Sequence, residues 1–132
     1  MARLTGRSVI VTGAAQGIGA AYAKALAAEG AKVAVCDVEP VDAVVGIIRQ
    51  AGGEAIGMRC DVTNETDVAD MVAATDAAFG GITGLVNNAA LFKGLPHQKF
   101  ETISSADFER VLSVNVRGSF ECIKAVLPVM RR

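Results

Sequence analysis

The chain has 132 residues, 52% of them hydrophobic, with a formal net charge of −1; it is long enough for one domain with a buried core, and its weakly acidic balance offers nucleic acid no electrostatic footprint. Lys and Arg cluster only at Arg131-Arg132. A mean hydropathy of +0.39 raises the membrane question, but polar residues interrupt every apolar stretch short of the roughly 18 needed to span, and Val9-Ile10-Val11 is too short for a signal peptide's core, so a cytoplasmic protein without a membrane partner is expected.

Ser8-Val9-Ile10-Val11 reads as a strand, followed by Thr12-Gly13-Ala14-Ala15-Gln16-Gly17-Ile18-Gly19 and a helical pattern from Ile18 to Glu29. In a strand, tight turn and helix of this kind, glycines let the backbone approach a pyrophosphate, and amides at the helix start face its charge. Such glycines also mark ordinary turns, so the motif alone leaves both readings open. Lys32 to Val38 is a nearly unbroken apolar run that fits a buried parallel strand. Pro40 to Gln50 carries Val44, Ile47 and Ile48 at helical spacing, closed by Gly52-Gly53, and Ala55 to Cys60 makes a third strand.

Asn64 caps a helix from about Glu65 to Phe79, with Asp67 at its positive end and Val68, Met71, Val72 and Phe79 inward. Gly80-Gly81 closes it, and Gly84-Leu85-Val86-Asn87 is a fourth strand. The segment from Ala89 to Ile103, with the lone His97, is irregular; leaving a strand at its C-terminal end, it is placed to contact substrate. His97 itself, beside Gln98 and Lys99, reads as an exposed loop residue rather than an acid or base. Ser104 and Asp107 open one long helix through Phe108, Leu112, Val116, Phe120 and Ile123, with Pro128 marking its end and with Phe120 and Cys122 in the core. Cys36, Cys60 and Cys122 lack metal-ligand spacing and read as buried reduced thiols, so no metal site is indicated.

Strands and helices alternating in this way give an α/β class, a doubly wound parallel sheet in a single unit, residues 1–132. Asp37, about 20 residues beyond the glycine turn at the end of the second strand, can accept hydrogen bonds from adenosine ribose hydroxyls. A carboxylate there repels a 2′-phosphate, and neither Gln16 nor Val38-Glu39-Pro40 supplies a balancing cation. NAD is therefore expected over NADP.

Over its whole length the chain resembles the short-chain dehydrogenases/reductases. The resemblance rests on Thr12-Gly13-x-x-x-Gly17-x-Gly19, Asp37, Asp61-Val62, Asn87-Asn88-Ala89-Ala90, and Asn115 in Ser113-Val114-Asn115-Val116. It implies a Rossmann-like cofactor domain in which Gly13, Gln16, Gly17, Ile18 and Gly19 cradle the pyrophosphate and Asp37 holds the ribose. Asp61 and Val62 would bracket the adenine, Val62 with backbone and side chain. Asn88, Ala89 and Ala90 would lie along the cofactor, Ala90 standing where the family more often has glycine. Asn115 is the one catalytic position implied within this chain, at a helix irregularity; on its own such an Asn could equally be solvated or back-bonded.

The family's remaining catalyst is a Ser followed by Tyr-x-x-x-Lys. The only tyrosine, Tyr22, has Leu26 four positions later. The expectation is therefore the N-terminal part of a longer NAD-dependent oxidoreductase acting on a small-molecule alcohol or ketone, the chain alone being inactive and its sheet incomplete at the C-terminal side, with Leu85 and Val86 on an open edge. The resemblance favours a homo-oligomer of the full-length form, using the helix around Phe108 to Met130. A noncatalytic NAD-binding or scaffold module, a truncated inactive fragment, or a half that pairs with a separate chain are the alternatives.

Overall fold

A computed structural model describes residues 2–132. Strands β1 (Ser8–Thr12), β2 (Lys32–Asp37), β3 (Glu54–Arg59) and β4 (Gly84–Val86) form one parallel sheet in the order β3-β2-β1-β4. Helices α1 (Gly17–Ala28), α2 (Asp42–Gln50) and α3 (Glu65–Phe79) follow the first three strands, and α4 (Ser105–Leu112) and α5 (Gly118–Met130) follow the fourth. The fold is a Rossmann-like α/β arrangement. Its strand order reverses beside β1, with β2 on one side and β4 on the other, which opens a crevice at the C-terminal end of β1.

Strand periodicity splits the core in two. Val9 and Val11 of β1, with Val33 and Val35 of β2, pack against Ala20, Ala23 and Ala27 of α1 and Val44, Val45 and Ile48 of α2. Ile10, Ala34 and Cys36 point through the opposite face onto Val68, Met71 and Val72 of α3 and Cys122 and Val126 of α5. Because both faces are covered, β1 is apolar over consecutive positions instead of alternating, which is why its sequence reads as an uninterrupted run. Asn64 Oδ1 accepts the Asp67 N–H at 3.0 Å and Ser104 Oγ the Asp107 N–H at 3.1 Å, so both expected caps form at the starts of α3 and α4.

The last helical region differs from the expectation in three respects. A π-helical turn, Ser113–Arg117, separates α4 from α5. The helix also runs through Pro128 to Met130, because proline removes only its own donor and the Arg131 N–H still reaches the Leu127 carbonyl at 3.0 Å. Phe120 is not a core residue: it is 57% exposed, whereas Cys122 is fully buried. Gly118, Cys122 and Val126 repeat every four residues on the inward face, and Leu112, Val116 and Phe120 repeat on the outward one. A short 3₁₀ turn, Phe100–Thr102, interrupts the segment expected to be irregular.

All three cysteines are free and buried. Burial pushes the Cys60 thiol up to about 12 and that of Cys122 to about 11, and raises Cys36 still further. At neutral pH they are protonated packing residues. Ile10 is fully buried between β1's neighbours and α3, while Ile47 on α2 is 49% exposed. Ile10→Ala should therefore cost about 2–5 kcal/mol in urea unfolding, and Ile47→Ala well under about 1. Equal losses at the two positions would contradict this division of the core.

Candidate functional site

The crevice is built around a contact too close for side chains. Thr12 Oγ1, at the end of β1, accepts the N–H of Asn88 at 3.1 Å and that of Ala89 at 3.0 Å, and donates to the Val86 carbonyl at 3.4 Å. Asn88 Nδ2 donates to the Gly13 carbonyl at 3.0 Å. These bonds draw the loop after β4 onto the glycine turn, so that a Cβ on Gly19 would overlap the Gly13 carbonyl and Asn88 Nδ2. One on Gly13 would lie 2.8 Å from Ala89 Cα.

Gly17 is the opposite case. Its φ is +59°, which calls for glycine, yet a Cβ there would meet nothing within 4 Å. Open space thus lies over the first turn of α1. Gln16 precedes that turn in extended conformation without a side-chain cap, and the exposed Ile18 lies within it. The first amides of a helix have no intrahelical partner, so this space faces donors and the positive end of the helix dipole.

Asp37, at the end of β2, turns toward the same place. Its Oδ2 accepts the Ala15 N–H within the glycine turn at 3.0 Å, and its Oδ1 accepts the Glu39 N–H at 3.0 Å. Each carboxylate oxygen keeps further acceptor capacity. The Asp37 carbonyl in turn takes the Cys60 N–H at 3.0 Å, which ties the segment after β3 to the same strand end.

In that segment Asp61 Oδ1 accepts the Thr63 hydroxyl at 2.7 Å and the Thr63 N–H at 2.9 Å. The hydroxyl above all, then the amide, hold the Asp61 carboxyl below the usual carboxylate range, with Arg59 adding a smaller pull against partial desolvation. The Asp61 N–H donates to Asp67 Oδ2 at 3.0 Å, and Arg59 Nη1 reaches the same oxygen at 3.1 Å. Val62 departs from the expectation. The residue is 6% exposed and its side chain packs inward against α5, so it is not presented to a ring at the surface.

Asn115 sits within the π-helical turn, at the irregularity the resemblance implied. Its side chain, though exposed, is not bonded back to its own helix. Oδ1 accepts the Leu91 N–H at 2.6 Å and Nδ2 donates to the Leu91 carbonyl at 3.3 Å, clamping the loop that continues from Ala89 and the exposed Ala90.

Gly13, Gly17, Gly19, Asp37, Asn88 and Ala89 therefore converge on one mouth, with Asp61-Val62 bordering it from β3 and Asn115 reaching it through Leu91. Tyr22 and His97 stand apart, half-exposed on α1 and exposed in the loop. Thr63 and Asp67, which position Asp61, were missed by motif reading. Asp-x-Thr is nonetheless a local turn signal in which one side chain bonds the backbone two residues on.

The short chain dehydrogenase family model matches residues 7–132. The chain is 42% identical over 125 residues to a 2,5-dichloro-2,5-cyclohexadiene-1,4-diol dehydrogenase of Sphingobium indicum, covering 94% of this chain and 48% of that protein. It is 40% identical over 128 residues to galactitol 2-dehydrogenase of Agrobacterium fabrum, covering 97% and 48%. The crystal structure of a dehydrogenase/reductase from Sinorhizobium meliloti 1021 superposes with a TM-score of 0.89 at 38% identity, covering 96% of this chain and 50% of that one. The chain spans about half the length of the curated relatives it matches.

Two predictions follow from the geometry. Gly19→Ala should destabilise the fold by roughly 3 kcal/mol or more because backbone must move, and Gly17→Ala by about 1–2 kcal/mol from the positive φ alone, measured by denaturant unfolding. Asp61, whose folded pKa is lowered, contributes stability that is complete above its unfolded value of about 3.9 and is lost as pH falls through the lower folded value. Thr63→Val removes the 2.7 Å donor. Carboxyl NMR titration should then find Asp61 moved up toward the ordinary value; an unmoved midpoint would rule out the hydroxyl as the main cause.

Proposed function

The chain belongs to the short-chain dehydrogenase family, and on that premise we propose that it is the cofactor-binding part, residues 1–132, of an NAD-dependent oxidoreductase that interconverts a secondary alcohol and a ketone. The observation that carries this reading is the Asp37 carboxylate turned onto a glycine turn whose Gly17 faces open space. Pyrophosphate would lie over the first amides of α1, where Gln16, Gly17, Ile18 and Gly19 leave room and donors. The adenosine ribose hydroxyls would donate to Asp37. A 2′-phosphate would instead meet that carboxylate, with Glu39 nearby and with Arg59, in register with Asp37 on β3, engaged by Asp67, which supports NAD over NADP.

Adenine would bind at the Asp61 carboxylate and the Val62 backbone. Its amino group needs an acceptor and its ring nitrogen a donor, and the lowered pKa of Asp61 keeps the acceptor charged. Beyond the ribose, Asn88, Ala89 and Ala90 line the path toward the reacting end, with the small alanines permitting close approach. Asn115 is the chain's catalytic position on this reading: its side chain is occupied by Leu91, so its main chain is what remains to hold a water for proton transfer. The bound nicotinamide supplies or accepts the hydride. The acid and base acting at the substrate oxygen are assigned to the Ser and Tyr-x-x-x-Lys of a longer parent protein, and the 132 residues alone are expected to be inactive.

The diol and galactitol dehydrogenases among the relatives support an alcohol as substrate class. Apolar residues exposed along α4, the π-helical turn and α5, namely Phe108, Leu112, Val116 and Phe120, support a homo-oligomer of the full-length form. Among the described residues no helix is long and apolar enough to cross a membrane; the cytoplasm is the proposed location.

Fluorescence titration tests the cofactor assignment. NADH should bind more tightly than NADPH, and Asp37→Ala should weaken NADH by roughly 1.5–3 kcal/mol while narrowing that preference. Equal or tighter binding of NADPH to the unaltered chain would reject the NAD reading, and binding of neither would reject nucleotide binding altogether.

A further inference from the structure

We propose that Gly118 is a positioning residue that couples the adenine end of the mouth to the Asn115 clamp, so that filling one end stiffens the other. This rests on the nucleotide reading above. The π-helical turn makes contacts on two sides. On one side Asn115 holds both backbone polar groups of Leu91, at 2.6 and 3.3 Å. On the other, Arg117 Nη2 donates to the Thr63 carbonyl at 3.2 Å, and Gly118 lies against the Val62 side chain. A Cβ on Gly118 would stand 2.5 Å from Val62 Cγ2 and 3.2 Å from Val62 Cβ, closer than packed carbon atoms allow.

The approach of α5 to the turn after β3 is therefore set by the missing side chain at position 118. Val62 has little room to retreat, since it is buried and neighboured by Asp61, which Thr63 and Asp67 fix through its carboxylate and its amide. A ligand that orders Asp61 and the Val62 backbone would thus restrain Gly118 and Arg117, and through the short π-helical turn the Asn115–Leu91 pair. Such coupling requires contiguous packing and hydrogen bonds between the two ends, and each link here is a direct contact.

The probe is ADP, which fills the adenine and pyrophosphate positions but has no group to reach Leu91. Hydrogen exchange of the Leu91 amide, measured on the full chain, should slow when ADP binds. Gly118→Ala should weaken ADP roughly tenfold by pushing Val62 and should abolish that slowing. Val62→Ala removes the opposing methyl while keeping the backbone donor, so Val62→Ala/Gly118→Ala should recover most of the affinity and the slowing; this double variant also serves if Gly118→Ala fails to fold. ADP binding to the unaltered chain with no change at Leu91, or no recovery in the double variant, would overturn the coupling alone. Failure of the unaltered chain to bind either ADP or NADH would overturn it together with the nucleotide reading.

Discussion

The whole site depends on a place where backbone touches backbone. Thr12 Oγ1 uses its one hydrogen on the last residue of β4, Val86, and both lone pairs on the loop that follows, and Asn88 returns the contact by donating to Gly13. With this hydroxyl saturated, the ends of β1 and β4 are held in fixed relation, and the glycine turn is pressed down until only hydrogen atoms fit at positions 13 and 19. That compression leaves the upper side of the turn free. The open space at Gly17 is the counterpart of the crowding at Gly19: two residues apart at the start of α1, one glycine is required by contact and the other by backbone conformation.

The sequence disclosed the elements whose signals are local and periodic. Strands buried on both faces give continuous apolar runs, so Val9 to Val11 and Val33 to Cys36 stand out without any tertiary information, and Asn64 and Ser104 cap as their side chains predict. The line of Gly13, Gly17, Gly19 and Asp37 was legible because residue types at those spacings form a recognisable strand, turn and helix pattern. Hidden were features that depend on long-range packing. A π-helical turn has no composition of its own, and Ser113 to Arg117 reads as ordinary helix by periodicity; the irregularity at Asn115 comes from the family resemblance alone. Phe120 looks like core because it is large and apolar, but it falls on the opposite face of α5 from Gly118, Cys122 and Val126, which meet the rest of the fold.

The two sides of the last helical region differ in kind. Inward, Gly118, Cys122 and Val126 are small or medium residues that let α5 lie close to α3 and the sheet. Outward, Leu112, Val116 and Phe120 line a shallow groove flanked by Glu109, Arg110 and Arg117. Apolar groups ringed by charge cost free energy in water roughly in proportion to area, about 25 cal/mol per Å². This stripe is thus a surface to which a partner adds stability, in keeping with the homo-oligomer proposed. The β4 edge is similar in nature: three residues long, with Leu85 and Val86 half-buried and paired on one side only.

Charge orders the mouth along its length. At its centre the first amides of α1 present partial positive charge. To one side, beyond β1, stand carboxylates, Asp37 on β2 and Asp61 after β3, each already holding one or more backbone amides. An anionic group is drawn to the centre and repelled on that side, while neutral hydroxyl and amino donors are drawn to that side. On the proposed reading the pyrophosphate takes the centre and the adenosine half takes the β2–β3 side, where Asp37 meets ribose hydroxyls and Asp61 the amino group of the base. The strand order places those two acceptors together on one side of β1, which leaves the other side, toward β4 and the loop that Asn115 holds, to the reacting half.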